Sequence, residues 1–143
     1  MISIRQPEIQ AIRNHGEAEY PNECCGILIG RLAADGSKSV EQLLPISNAR
    51  EAENRYNRFL ITPEELMRGE LAARRQKLDI VGFYHSHPDH PAVPSGYDLE
   101  HAWPTYSYII VAVGKGKSGD FLSWELENDR THFNPETIKN EGA

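Results

Sequence analysis

The sequence lacks most of what would place it in several large classes of protein. Its 143 residues include only two cysteines, the neighbours Cys24 and Cys25. Adjacent cysteines diverge from the backbone and rarely bridge each other, so no disulfide framework is available. In a strand their thiols would face opposite sides. They read as reduced, buried thiols of a cytosolic protein, with a catalytic thiol as the alternative. No Cys-x-x-Cys pair occurs, which argues against thiolate zinc clips and against zinc deaminases built on such a pair. No apolar run approaches the ~20 residues that cross a bilayer. The start, Met1 to Pro7, has no apolar core of signal-peptide length. A cytoplasmic location with no membrane partner is therefore expected. Lys and Arg number 15 against 21 Asp and Glu, a net charge of −6, and they form no basic stripe. Nucleic acid is not the expected partner, because phosphate binding draws on clustered cations.

What is present suits an ordinary globular domain. Hydrophobic residues make up 39% and charged residues 25%, within the usual range, and the length fits one domain with its own core. The domain is taken as residues 1–139, with 140–143 as a disordered tail. Pro7 to Tyr20 predicts a first helix, with Ile9 and Ile12 on its apolar stripe and Gly16 as a dissonant residue. Cys24 to Gly30 is a short apolar run bounded by glycine, which suits a buried strand. A turn at Asp35-Gly36-Ser37 returns the chain along Val40 to Ile46 as a hairpin. Arg58 to Ile61 reads as a short strand.

Thr62-Pro63-Glu64-Glu65 is a helix start, with Thr62 as cap, Pro63 in the first helical position and Glu65 completing a capping box. That helix runs to about Lys77, and its basic end suits the negative pole of the helix dipole. Asp79 to His85 is a strand, Pro88 to Pro94 a proline-rich loop, and Ser95 to about Ala102 a short helix. Tyr106 to Val113 reads as a central strand. Gly114 to Gly119 is a turn, and Phe121 to Glu127 is an alternating strand. The sum is an α/β (α+β) domain, a mixed sheet flanked by about three helices.

The chemistry concentrates in His85-Ser86-His87-Pro88, followed by Ser95 and Asp98. Histidines at i and i+2 of a strand leave the same face roughly 6.6 Å apart at the backbone. Two rings can converge from that separation on one ion at about 2.0–2.1 Å. Two nitrogens and one carboxylate make three ligands, the number a catalytic zinc site uses while a fourth position stays open for water. Asp98 has a rival reading: Ser95-Gly96-Tyr97-Asp98 also fits a capping box, with Asp98 at the third helical position. The two roles can coexist, and residue chemistry alone leaves both open. His90 reads as an exposed loop residue and His101 as a conceivable neighbour of Asp98. His15 and His132 have no constellation around them, and Tyr97 and Trp103 read as packing residues.

These residues resemble a known family. His85-x-His87, seven residues, Ser95, two residues and Asp98 are similar to the signature of the JAMM (MPN+) zinc metalloproteases, His-x-His-x7-Ser-x-x-Asp. Pro21 to Gly30 is similar to the segment that carries the family's catalytic glutamate. The resemblance extends from about Pro21 to Val113, with no departure at the five functional positions. The short chain and the loop Pro91-Ala92-Val93-Pro94-Ser95 look most like compact bacterial and archaeal members. The resemblance implies the cytidine-deaminase-like JAMM/MPN architecture, a Zn(2+) ion on His85, His87 and Asp98, Glu23 as general base and Ser95 as the residue that steadies the oxyanion. Read by itself, Glu23 would be a solvated glutamate at a strand edge.

The implied activity is that of a peptidase or isopeptidase acting at the C-terminal tail of a ubiquitin-like or sulfur-carrier protein. The tail would lie extended in a groove and add a strand to an exposed edge. Two alternatives accompany it: a broader deubiquitinase-like isopeptidase, and a non-catalytic binding module that keeps zinc for stability. Oligomeric state is not readable from the chain.

Overall fold

The computed structural model of the protein describes residues 1–48 and 61–143. In chain order its elements are β1 (Ile2–Ile4), α1 (Gln6–Glu19), β2 (Cys25–Leu32), β3 (Lys38–Ile46), α2 (Pro63–Arg75), β4 (Asp79–Pro88), α3 (Gly96–His101), β5 (Ser107–Gly114), β6 (Lys117–Leu126), β7 (Phe133–Glu136) and β8 (Ile138–Asn140). The strands form one mixed sheet in the order β7-β6-β5-β4-β2-β3-β1-β8. β4 runs parallel to β5, and β1 runs parallel to both β3 and β8. β7 and β8 lie at opposite edges, yet only Thr137 separates them in sequence. The sheet must therefore curl until its edges meet at that residue, whose carbonyl accepts a hydrogen bond from the Ile2 amide at 2.9 Å.

The mixed α+β class and the helix–sheet order match the expectation. The continuous apolar run of β2 is explained by burial on both faces. Cys24 and Leu28 join Ile9 and Ile12 of α1 in one core, while Cys25, Ile27 and Ile29 join Ala73 of α2 in another. The two neighbouring thiols thus face opposite sides, as strand alternation requires. Gly16, dissonant in the helix, packs directly against β4 and β5. A Cβ there would sit 3.1 Å from Val113 Cγ2 and 3.4 Å from the Ser86 Cβ.

Several boundaries differ. β4 extends three residues past His85 to Pro88, because β5 continues beside it as far as Val113. The turn after β5 is short, with Lys115 and Gly116 at positive φ of 52° and 84°, so β6 begins at Lys117. β5 is internal but third from one edge; β4 and β2 occupy the middle. Thr62 caps α2 by accepting from the Glu65 amide at 3.2 Å, but the Glu65 carboxylate turns to Arg68 rather than back to the cap. α2 ends at Arg75, before Lys77, which takes a positive φ of 58°. The short strand expected at Arg58 to Ile61 falls on residues of which 58–60 lie outside those described.

β1, β7 and β8 are not apparent in the sequence, and the expected disordered tail at 140–143 needs correction. Asn140 pairs with Ile4, the Glu141 amide donates to the Ile4 carbonyl at 2.9 Å, and the Gln6 amide donates to the Gly142 carbonyl at 2.7 Å. The polar tail composition carries no sign of this, because the partners are more than 130 residues away in the chain.

An ion cluster closes the curl of the sheet. Lys38 Nζ, at the start of β3, lies 2.7 Å from Glu125 Oε2 and 3.6 Å from Glu136 Oε2. Glu136 is fully buried and also accepts from Ser123 Oγ at 2.8 Å. The N-terminal amino group lies 3.5 Å from the same Oε2, so removing Lys38 leaves the buried carboxylate with this half-exposed cation alone. Lys38→Met is therefore expected to lower unfolding free energy by about 3 kcal/mol, read from urea denaturation. Adding Glu136→Gln should recover much of it. A single-variant loss no larger than that of an exposed lysine would refute this account.

Candidate metal centre

The parallel pairing of β4 with β5 and its antiparallel pairing with β2 place the two histidines. His85 sits opposite Cys25 on one side and Ile110 on the other, and His87 sits opposite Ala112. β2 begins at Cys25, so the end of β4 that carries His87 runs on past it, alongside Glu23 and Cys24. Ser86 points away from the rings, and its Oγ accepts from the Cys24 amide at 2.8 Å. His85, His87, Glu23 and Asp98 are all buried.

α3 brings Asp98 to the same point. Ser95 caps it: Ser95 Oγ accepts from the Asp98 amide at 3.1 Å, and Asp98 Oδ2 accepts from the Ser95 amide at 2.9 Å, a complete capping box. The same Oδ2 lies 3.2 Å from His85 Nε2 and 3.1 Å from His87 Nε2. The helix cap and the contact with both imidazoles thus fall on one oxygen of Asp98. The ring nitrogens are 3.1 Å apart, so three ligand atoms form a nearly equilateral triangle. The edge of a tetrahedron with bonds of ~2.0 Å is about 3.3 Å. A ring nitrogen either donates or accepts, so protons can bridge at most two of the three contacts, whereas a cation would serve all three. These residues could hold a metal ion. His87 Nδ1 lies 2.8 Å from the Pro91 carbonyl, which can only accept, so Nδ1 carries the proton and Nε2 presents its lone pair to the triangle.

The electrostatics fit a cation as well. Burial pushes the Glu23 carboxyl up to about 9, and the Asp98 charge adds to it. Its Oε1 is buried with no hydrogen-bond partner among the described residues. Burial also opposes ionisation of Asp98, but its contacts with His85, His87 and the Ser95 amide outweigh it, and its pKa falls well below the usual carboxylate range. Burial holds His85 below its ordinary value, against the pull of Asp98, which favours the neutral ring a metal requires. A buried carboxyl whose ionisation a neighbouring carboxylate opposes marks a place short of positive charge.

The remaining candidates stand apart from the triangle. His90 is exposed. His101 Nδ1 lies 2.8 Å from the Tyr97 carbonyl, and its ring stacks on Tyr97 at 4.1 Å. His15 has a partner the sequence did not suggest, the Tyr84 hydroxyl, 2.7 Å from its Nδ1. Trp103, expected to pack, is 62% exposed with the Arg130 guanidinium over its ring. Sequence reasoning missed Pro91, since a backbone carbonyl leaves no mark on residue identity.

Both thiols are buried. Burial pushes Cys24 up to about 12, partly offset by a hydrogen bond with Ser86, and raises Cys25 as well. The thiolate is the reactive form, so at pH 8 the native thiols should react with a disulfide reagent at least ~10³-fold more slowly than those of the unfolded chain. Comparable rates would revive the catalytic-thiol alternative. Cys24→Ser should leave metal content unchanged.

The chain is similar to several known proteins. The chain is 39% identical to a desampylase of Haloferax volcanii over 99 residues, covering 68% of each chain. It is 30% identical to a probable TtuB-protein conjugate cleaving protease of Thermus thermophilus over 71% of this chain and 64% of that one, just under two thirds of the relative's length. It is 29% identical to the CysO-cysteine peptidase of Mycobacterium tuberculosis over 88% of this chain and 83% of that one. The solution structure of a Desulfitobacterium hafniense protein superposes with a TM-score of 0.86 at 28% identity, covering 100% of this chain and 94% of that one. A JAB1/MPN domain protein of Archaeoglobus fulgidus shares the fold, with a TM-score of 0.58 at 16% identity over 98% and 96% of the two chains. Residues 5–127 match the family described as prokaryotic homologs of the JAB domain, and the chain belongs to that family.

Proposed function

We propose that this chain is a cytoplasmic zinc-dependent peptidase that cuts at the C-terminal tail of a ubiquitin-like or sulfur-carrier protein. The observation that carries the reading is the triangle of His85 Nε2, His87 Nε2 and Asp98 Oδ2, built at a strand end beside the buried carboxyl of Glu23. Three protein ligands leave one position open, the arrangement of hydrolytic rather than structural zinc. The substrate class rests on the relatives, whose names describe a TtuB-protein conjugate cleaving protease and a CysO-cysteine peptidase.

Zinc bound there would supply a Lewis acid and a water with pKa near 7. With a cation held beside it Glu23 would be ionised, and its carboxylate would take the proton from the attacking water and later hand it to the leaving amine. Ser95 Oγ accepts the Asp98 amide hydrogen, so its own hydroxyl hydrogen is available to donate to the scissile carbonyl oxygen as negative charge develops. The Ser95–Asp98 box holds the hydroxyl and the metal-binding carboxylate in one rigid unit. The Pro91 carbonyl keeps His87 in the tautomer that binds metal.

The test is selective trimming. Zinc-loaded protein is incubated with a sulfur carrier extended past its terminal Gly-Gly, with ubiquitin dimers and with denatured casein, and the products are weighed by mass spectrometry. Trimming confined to the extended carrier is the expected result. Cleavage of ubiquitin dimers alone would transfer the assignment to a deconjugating isopeptidase. Tight binding without cleavage of any of them would make the chain a zinc-stabilised binding module.

A further inference from the structure

The loop between β4 and α3 has no regular structure, yet its Pro91 carbonyl must be placed accurately to hold His87. Two anchors flank that carbonyl. On one side, Asp89 takes a positive φ of 56° and ties together three parts of the molecule. Its Oδ2 accepts from the Tyr20 hydroxyl at the end of α1 at 2.6 Å, and its Oδ1 accepts from the Lys115 amide in the β5–β6 turn at 2.8 Å. On the other side, Trp124 Nε1 on β6 donates to the Ala92 carbonyl at 2.9 Å, and Ala92 is buried. Neither Asp89 nor Trp124 touches the ligand triangle.

We propose that Trp124 and Asp89 are positioning residues that pin the loop on both sides of Pro91, so that the Pro91 carbonyl fixes the orientation and tautomer of His87. The inference rests on the metal reading above and extends it to residues in other elements. The physical reason is that a ligating ring is held by the group that takes its second N–H. When that group is a loop carbonyl, the loop's own anchors set its position. Without Trp124 Nε1 the buried Ala92 carbonyl loses its donor, and without the Asp89 carboxylate the left-handed residue loses both of its side-chain ties. Either change lets Pro91 drift and frees His87 Nδ1 to give up its proton to Nε2, the atom that must stay bare.

The test uses Trp124→Phe, Asp89→Ala and the conservative Asp89→Asn. Asparagine can still accept the Lys115 amide hydrogen on Oδ1 and donate through Nδ2 to the Tyr20 oxygen. In the metal-free protein, imidazole 15N shifts should report His87 protonated on Nδ1 in the parent and in Asp89→Asn. They should report a mixture of tautomers in Trp124→Phe and Asp89→Ala. Zinc affinity, read by chelator competition, should fall about 10–100-fold in those two variants and little in Asp89→Asn. Lys38→Met serves as the control, since it lowers stability through Glu125 and Glu136 rather than through the loop and should leave the His87 tautomer unchanged. Either loop variant that folds, keeps the parent tautomer and binds zinc within twofold of the parent overturns the role of the residue it replaces. A parent that binds no zinc refutes the metal reading, and the tautomer measured without metal still decides the role of the anchors.

Discussion

Replacing His87 with alanine is expected to leave a folded protein that neither retains zinc nor turns over substrate. The change removes one of three atoms in a triangle with sides of 3.1 to 3.2 Å. His87 lies at the far end of β4, past the start of β2 and outside the main apolar clusters, so most of the core survives. Loss of a partner behind a ligand already costs 10–100-fold in metal affinity or activity. Loss of the ligand itself should exceed ~100-fold in both. Elemental analysis of the purified variant, with chelator competition against the parent, measures the first effect, and the trimming assay measures the second. A variant that holds zinc as tightly as the parent would remove His87 from the site.

Glu23→Gln is expected to separate binding from chemistry. The amide keeps the shape of the side chain but cannot take a proton, and Glu23 is not one of the three atoms of the triangle. Zinc should therefore remain bound while turnover falls by roughly 10² or more. A variant that cleaves as fast as the parent would require another base.

The same substitution has a stability consequence of opposite sign in the metal-free protein. Burial first, and then Asp98, push the folded carboxyl up to about 9, against about 4.3 for a free glutamate. As pH rises, the unfolded chain releases this proton first. The contribution of Glu23 to stability is thus fully present below about pH 4 and is lost as pH climbs toward about 9. Metal-free Glu23→Gln should be more stable than the metal-free parent at pH 8, by on the order of a few kcal/mol, with the gap closing below pH 4. Urea melts in the presence of chelator at the two pH values test this. Equal stability at pH 8 would mean that the Glu23 carboxyl is not strained by burial.

How much could be read in advance differs from element to element. α1, α2, α3 and the strands from β2 to β6 announce themselves through apolar periodicity, caps and turn residues, because those signals are local. Thr62 and Ser95 are legible as caps since each cap is completed within three residues. β1, β7 and β8 are three to four residues long and exist only by pairing across the curled sheet, so nothing local marks them. The His85–His87 spacing is legible because strand alternation fixes which face a residue takes. The burial of Glu23 is not, since it comes from packing of remote elements, and the Asp98 charge that acts on it lies 75 residues later in the chain.

The sequence by itself determined the mixed α+β class, the set of groups that could meet a metal and the absence of a Cys-x-x-Cys pair, because residue type and short-range spacing carry that information. Only the tertiary structure decided that Asp98 Oδ2 caps α3 and faces both imidazoles at once, and that Glu23 is desolvated rather than washed by solvent. The tertiary structure also set a loop carbonyl, on a loop tied to α1, the β5–β6 turn and β6, 2.8 Å from His87 Nδ1. Each of these depends on the distance between groups that are remote in the chain, and such distances are set by the packing of the whole sheet rather than by any segment of it.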